Sequence, residues 1–117
     1  MEWKSNVFSL TNRDFDSDGN LVNKNINKGN CILLVYANWC PHCVTLHPIY
    51  QQMANHVFGI IKVAALEDKN AKNFKGAVDF RGYPSIFLYK NGKLANSYEG
   101  NRDLPSLIEF AKDASTD

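Results

Sequence analysis

The chain has 117 residues, the size of one domain, and its hydrophobic fraction of 44% with seven phenylalanines is enough to fill a core. A formal net charge of +1 gives no electrostatic footprint for nucleic acid or for an anionic membrane, and no apolar run approaches the ~18 residues that a membrane span needs. Three cysteines do not make the disulfide framework of a secreted mini-protein.

The first ten residues, MEWKSNVFSL, contain no apolar h-region, so no signal peptide is visible. Reducing cytosol is the default expectation, and the secretory pathway is the alternative if a signal peptide has been removed. Residues 7–10 (VFSL) suit a short strand, and 11–16 (TNRDFD) open a short helix capped by Thr11 or Asn12. Of the fourteen asparagines, seven lie in residues 6–30. They make 17–30 polar and turn-prone, a loop or small hairpin. Within this region DFDSDG (14–19) matches half of an EF-hand loop, but Asn25 stands where the bidentate glutamate belongs, so an Asp/Gly-rich turn is the simpler expectation.

Residues 31–37 (CILLVYA) form a continuous apolar run, the pattern of a strand covered on both faces. A helix follows from about Cys40, with Leu46, Ile49, Met53 and Val57 on one stripe and Pro48 expected to kink it. Residues 60–66 (IIKVAAL) read as a second buried strand. Residues 68–75 read as a short polar helix ending at Gly76. Residues 85–90 (SIFLYK) and 93–99 are strands joined by Asn91-Gly92, a strong hairpin signal. Asp103 starts a last helix with Pro105 in its first turn and Leu104, Leu107, Ile108 and Ala111 on one face. Strand–helix alternation followed by a hairpin predicts one α/β domain over 1–117, with a central mixed β-sheet flanked by helices on both faces.

The chemistry concentrates in YANWCPHCVTLHP (36–48). Cys40 and Cys43 are spaced C-x-x-C where a buried strand meets a helix. A thiolate is the reactive form of cysteine, and the unpaired N–H groups and dipole of a helix N-terminus favour an anion. Cys40 falls at that end, where the turn exposes it. Cys43 falls one turn inward, an asymmetric pair of attacking and resolving thiols. A protonated His42 stabilises the thiolate further, and Pro41 removes an N–H that is unpaired anyway. Two other readings stand beside this one. A structural zinc site needs four ligands, and Cys40, His42, Cys43 and His47 exist on paper, but His42 lies between the cysteines and no second ligand pair follows. Alternatively the cysteines are small core residues, the reading that fits Cys31 in its buried strand. His47 and His56 read as surface histidines.

The strand ILLVYA leading into Trp39-Cys40-Pro41-His42-Cys43, Pro48 beyond it, FRGYPSIFLYKNGK at 80–93 and Gly100 before the last helix together resemble the thioredoxin superfamily, specifically a thioredoxin or protein disulfide isomerase domain. The resemblance runs from Val7 to Lys112 and is weakest at 16–30. It implies a single thioredoxin-fold domain and a thiol–disulfide oxidoreductase whose redox-active disulfide joins Cys40 and Cys43. It implies a cis peptide at Tyr83-Pro84, leaving the Tyr83 backbone free to pair with an extended substrate, and a Trp39 that covers the disulfide. Partners would be proteins bearing thiols or disulfides and an unidentified redox partner. No cofactor, metal, nucleic acid or membrane is implied, and a monomer is expected.

The chain also departs from the family pattern. The buried acid six residues before the first cysteine is Leu34, and its lysine partner is Ala65. Both polar groups are replaced together, as the cost of a lone buried charge demands. The Pro-His dipeptide is similar to that of the bacterial periplasmic oxidase, which sets the expected potential between about −270 and about −120 mV. The competing reading is a thioredoxin-fold binding or chaperone module with little turnover.

Overall fold

The apolar run at the heart of the sequence alternates between two cores. In strand β2 (Asn30–Tyr36), Ile32, Leu34 and Tyr36 face one side and Cys31, Leu33 and Val35 the other, and all six are buried. A strand between two layers needs no polar face, which is why this run reads as continuous. Residues 1–116 are described by a computed structural model of the chain. Around β2 stand β1 (Phe8–Leu10), α1 (Pro41–His56), β3 (Lys62–Glu67), α2 (Lys72–Ala77), β4 (Ser85–Lys90), β5 (Lys93–Ser97) and α3 (Leu104–Ser115). Short 3-10 turns occupy Asn12–Asp14 and Asp68–Asn70.

The five strands form one mixed sheet in the order β1-β3-β2-β4-β5. β1 and β2 run parallel to β3, while β4 is antiparallel to β2 and β5 to β4. The first core lies under α1 and α3, built from Leu46, Tyr50, Met53, Ala54, Leu107 and Ala111 against Leu34, Ala65 and Leu88. The second lies under α2, where Phe74 packs with Phe15, Leu21, Ile26, Leu66 and Phe87. This is the thioredoxin fold, a mixed sheet with helices on both faces.

Most sequence expectations hold to within a residue or two. The 68–75 segment instead splits into the Asp68–Asn70 turn and α2, and α2 runs through Gly76 to Ala77. The fully buried Ala71 stands between the two, and Phe74 anchors α2 in the core. α1 carries Pro48 inside it and is continuous across it. Among the described residues no helix is long and apolar enough to cross a membrane.

The polar segment 17–30 is a docked loop. Leu21 N–H donates to Gly92 O at 2.7 Å, and Asn91 N–H to Gly29 O at 2.8 Å. The hairpin tip needs Asn91 (φ 50°) and Gly92 (φ 83°) in the left-handed region. A Cβ at Gly92 would lie 2.6 Å from Leu21 O. The Asp16 carboxylate accepts from the N–H groups of Asp18 and Asn20, each at 2.9 Å. That Asx turn explains the DFDSDG spacing through the loop's own backbone.

Candidate active site

The site forms where β2 ends and α1 begins. Cys40 is the N-cap of α1 with an extended backbone (φ −92°, ψ 117°), and Pro41 takes the first helical position. Pro41 fits because its fixed φ suits the helix and its missing N–H has no partner to lose. Cys40 O accepts from the N–H of Cys43 at 3.0 Å and of Val44 at 3.1 Å, which closes the first turn over the two cysteines.

All three cysteines are free thiols. Cys40 is 6% exposed and Cys43 1%. The order matches the asymmetry read from the spacing, but Cys40 is less open than a bare turn suggests, because the Tyr83 backbone stands over it. Cys40 Sγ donates to Tyr83 O at 3.4 Å, and the Tyr83-Pro84 peptide bond is cis. Trp39, 71% exposed, meets the Tyr83 ring edge-on at 5.7 Å.

The two thiols differ electrostatically. Burial raises the Cys40 pKa, but the N–H and thiol of Cys43, the N–H of His42 and the charge of Arg102 together outweigh it and hold Cys40 below its ordinary value. Burial is also the largest influence on Cys43, and with the neighbouring Cys40 thiol it pushes that group up to about 11 against the N–H of Ala37 and the charge of Arg102. The His42 contribution to Cys40 comes through its backbone N–H, and its side chain is exposed.

Arg102 carries no motif signal, since it lies in the loop before α3. Its guanidinium donates to Pro84 O at 3.2 Å, which brings a cation against the Tyr83-Pro84 loop. Beside that loop a cleft of about 600 Å³ is lined by Arg81, Tyr83, Pro84, Tyr98 and Arg102. Asp68, also missed, accepts from the Tyr83 hydroxyl.

The other singled-out residues lie elsewhere. Cys31 is 1% exposed in β2, and burial pushes its thiol up to about 12 against a small pull from Lys62. His47 departs from the surface reading: its ring lies 4.4 Å from Trp3 and it bonds Glu2 O, so it anchors the N-terminal segment across α1. His56 is exposed at the end of α1. Leu34 and Ala65 are 1% exposed in the same core as Cys40 and Cys43. Among the described residues no three His, Cys, Asp or Glu side chains are grouped to hold a metal ion.

The Thioredoxin family model matches residues 6–113. The chain is 37% identical over 92 residues to the thioredoxin domain-containing protein 5 homolog of Drosophila melanogaster, a match covering 74% of this chain and 22% of that protein. It is 36% identical over 114 residues to the protein disulfide-isomerase of Saccharomyces cerevisiae, covering 93% of this chain and 20% of that protein. The J-Trx1 fragment of ERdj5 superposes with a TM-score of 0.76 at 27% identity, covering 96% of this chain and 53% of that one. The chain therefore spans about a fifth of the length of these curated relatives.

Proposed function

The chain belongs to the thioredoxin family, and from that premise we propose that it is a protein thiol–disulfide oxidoreductase working through the Cys40-Pro41-His42-Cys43 dithiol. The observation that carries this reading is the unequal pair at the start of α1, with a lowered Cys40 beside Tyr83 and a raised Cys43 behind it. Similarity to protein disulfide-isomerases supports the same class of chemistry.

In reduction, the Cys40 thiolate attacks one sulfur of a substrate disulfide. A new S–S bond forms, the substrate bond breaks, and the displaced substrate sulfur leaves as a thiolate that takes a proton. Cys43 loses its proton and attacks Cys40 Sγ, which releases the second substrate sulfur. Two electrons have passed from the dithiol to the substrate, and a redox partner of opposite poise must restore the dithiol. Oxidation of a substrate dithiol is the same sequence reversed. Trp39, Tyr83 and Pro84 form the rim that receives the substrate segment, with the Tyr83 backbone open to an added strand.

This chemistry suits the secretory pathway better than the cytosol, a preference supported by the likeness to protein disulfide-isomerases and to ERdj5. The test is covalent trapping. Cys43→Ser should accumulate mixed disulfides with thiol-bearing proteins, and Cys40→Ser should accumulate few. Equal trapping by the two variants defeats the assignment of roles. Substrate binding that survives Cys40→Ser, with no insulin reduction by the unaltered chain, would favour a binding module.

A further inference from the structure

Tyr83 reaches in two directions. Its carbonyl accepts from Cys40 Sγ at 3.4 Å. Its ring stands perpendicular to Trp39 at 5.7 Å and packs on Phe80 at 5.6 Å. At the far end of that ring, the hydroxyl donates to Asp68 Oδ1. The same oxygen accepts from Lys75 Nζ at 2.7 Å. Hydrogen bonds from Lys75 and Tyr83 hold the Asp68 carboxyl below its usual range against partial burial, and the Lys75 charge and Trp39 side chain act in the same sense.

The two ends of this contact differ in support. Asp68 opens the 3-10 turn directly after β3, so its backbone is tied to an interior strand of the sheet. Tyr83 lies in residues 78–84, which have neither helix nor strand between α2 and β4. A loop without its own ladder takes its position from side-chain anchors, and a phenol bonded to a carboxylate is a strong one. The Lys75 side chain is 41% exposed, so its ion pair contributes little by itself.

We infer that Asp68 is a positioning residue for thiol–disulfide exchange: by holding the Tyr83 hydroxyl it fixes the backbone facing Cys40 and the aromatic flank against which Trp39 rests. The inference rests on the oxidoreductase reading above. It separates two properties of the site. The reactivity of Cys40 is governed by the start of α1 and by Arg102. Capture of an extended protein segment depends on where Tyr83 stands, and hence on Asp68.

Steady-state reduction of insulin by the whole chain, with dithiothreitol as terminal reductant, tests this. Asp68→Leu removes the acceptor at nearly constant volume and should raise the KM for insulin about ten-fold while kcat stays within about two-fold. Asp68→Asn keeps an oxygen that accepts from Tyr83 and should recover most of that loss. Lys75→Met, which removes only the ion pair, should move KM less than about two-fold. A KM for Asp68→Leu within two-fold of the unaltered chain overturns the inference, as does an Asp68→Asn variant as impaired as Asp68→Leu. Should Asp68→Leu fail to fold, Tyr83→Phe decides: a raised KM with retained kcat supports the anchor, and an unchanged KM overturns it. Absence of turnover in the unaltered chain overturns the oxidoreductase reading and this inference with it, a result distinct because it precedes any substitution.

Discussion

Leu34 and Ala65 face each other in register across the parallel β2–β3 pair, each 1% exposed, in the core that also holds Cys40 and Cys43. An acid–lysine pair at these places would be internally neutral, and the apolar pair keeps the same balance without burying charge. Leu34→Glu breaks it. The variant should lose about 3 kcal/mol, read from the urea midpoint, because a carboxyl enters a dry strand without a partner. Adding Ala65→Lys should return part of the loss. A neutral Leu34→Glu would mean that water reaches this side of β2.

Cys40 should be the first thiol alkylated by iodoacetamide, since it alone of the three is held below its ordinary pKa while Cys43 is raised to about 11 and Cys31 to about 12. Peptide mapping after brief labelling at pH 7 reads this directly. Arg102→Met should move the alkylation midpoint of Cys40 upward, because one of the groups favouring its thiolate is gone. Faster labelling of Cys43 would reverse the attacking and resolving roles.

His42→Ala should leave the reduction potential within about 10 mV, since His42 favours the Cys40 thiolate through a backbone N–H that alanine keeps. His42→Pro, which removes that N–H, should lower it. Equilibration with glutathione buffers measures both. A larger fall for His42→Ala would show that the exposed ring also favours the thiolate.

Alkaline stability should depend on Cys31. Its pKa is raised to about 12 in the fold against an ordinary 9.0. The folded chain thus keeps a proton that the unfolded chain gives up. The associated stability is complete below pH 9 and is lost as pH rises toward 12, with a limiting slope of about 1.4 kcal/mol per pH unit. Cys31→Ala should flatten the fall of the urea midpoint between pH 9 and 11. An unchanged slope would assign the fall to the buried tyrosines instead.

Gly92→Ala should destabilise by about 2 kcal/mol or more, since it combines a left-handed backbone (φ 83°) with a Cβ 2.6 Å from Leu21 O. Thermal melting measures it. Gly59→Ala shares a positive φ of 83° but meets nothing within 4 Å, so the difference between the variants isolates the docking of the loop.

What could be read from the chain is what repeats or sits at short range. The run through Cys31–Tyr36 declares a strand buried on two sides, Asn91-Gly92 declares its hairpin, and Cys40-Pro41-His42-Cys43 declares the start of a helix. Arg102 and Asp68 declare nothing, because each works across to the Tyr83-Pro84 segment and its surroundings, which the topology alone brings near. His47 reads as a surface residue for the same reason: Trp3 reaches it across α1. The asparagine-rich segment is legible as polar turns, but not as a layer that hides Leu21 and Ile26, since its partners are hairpin backbone atoms.

That layer bears on the order of folding. Leu21 is tied to Gly92, Gly29 to Asn91, the Gly19 carbonyl to Tyr89, and Asn30 to the Ala114 carbonyl near the end of α3. Residues 19–30 thus take their place only once the β4–β5 hairpin and the end of α3 have formed, whereas β1 has its partner already in β3. These contacts are among the longest in sequence that the fold makes, the kind that close late. Until they close, Leu21 and Ile26 stay open to solvent, and the sheet face they shield is left bare.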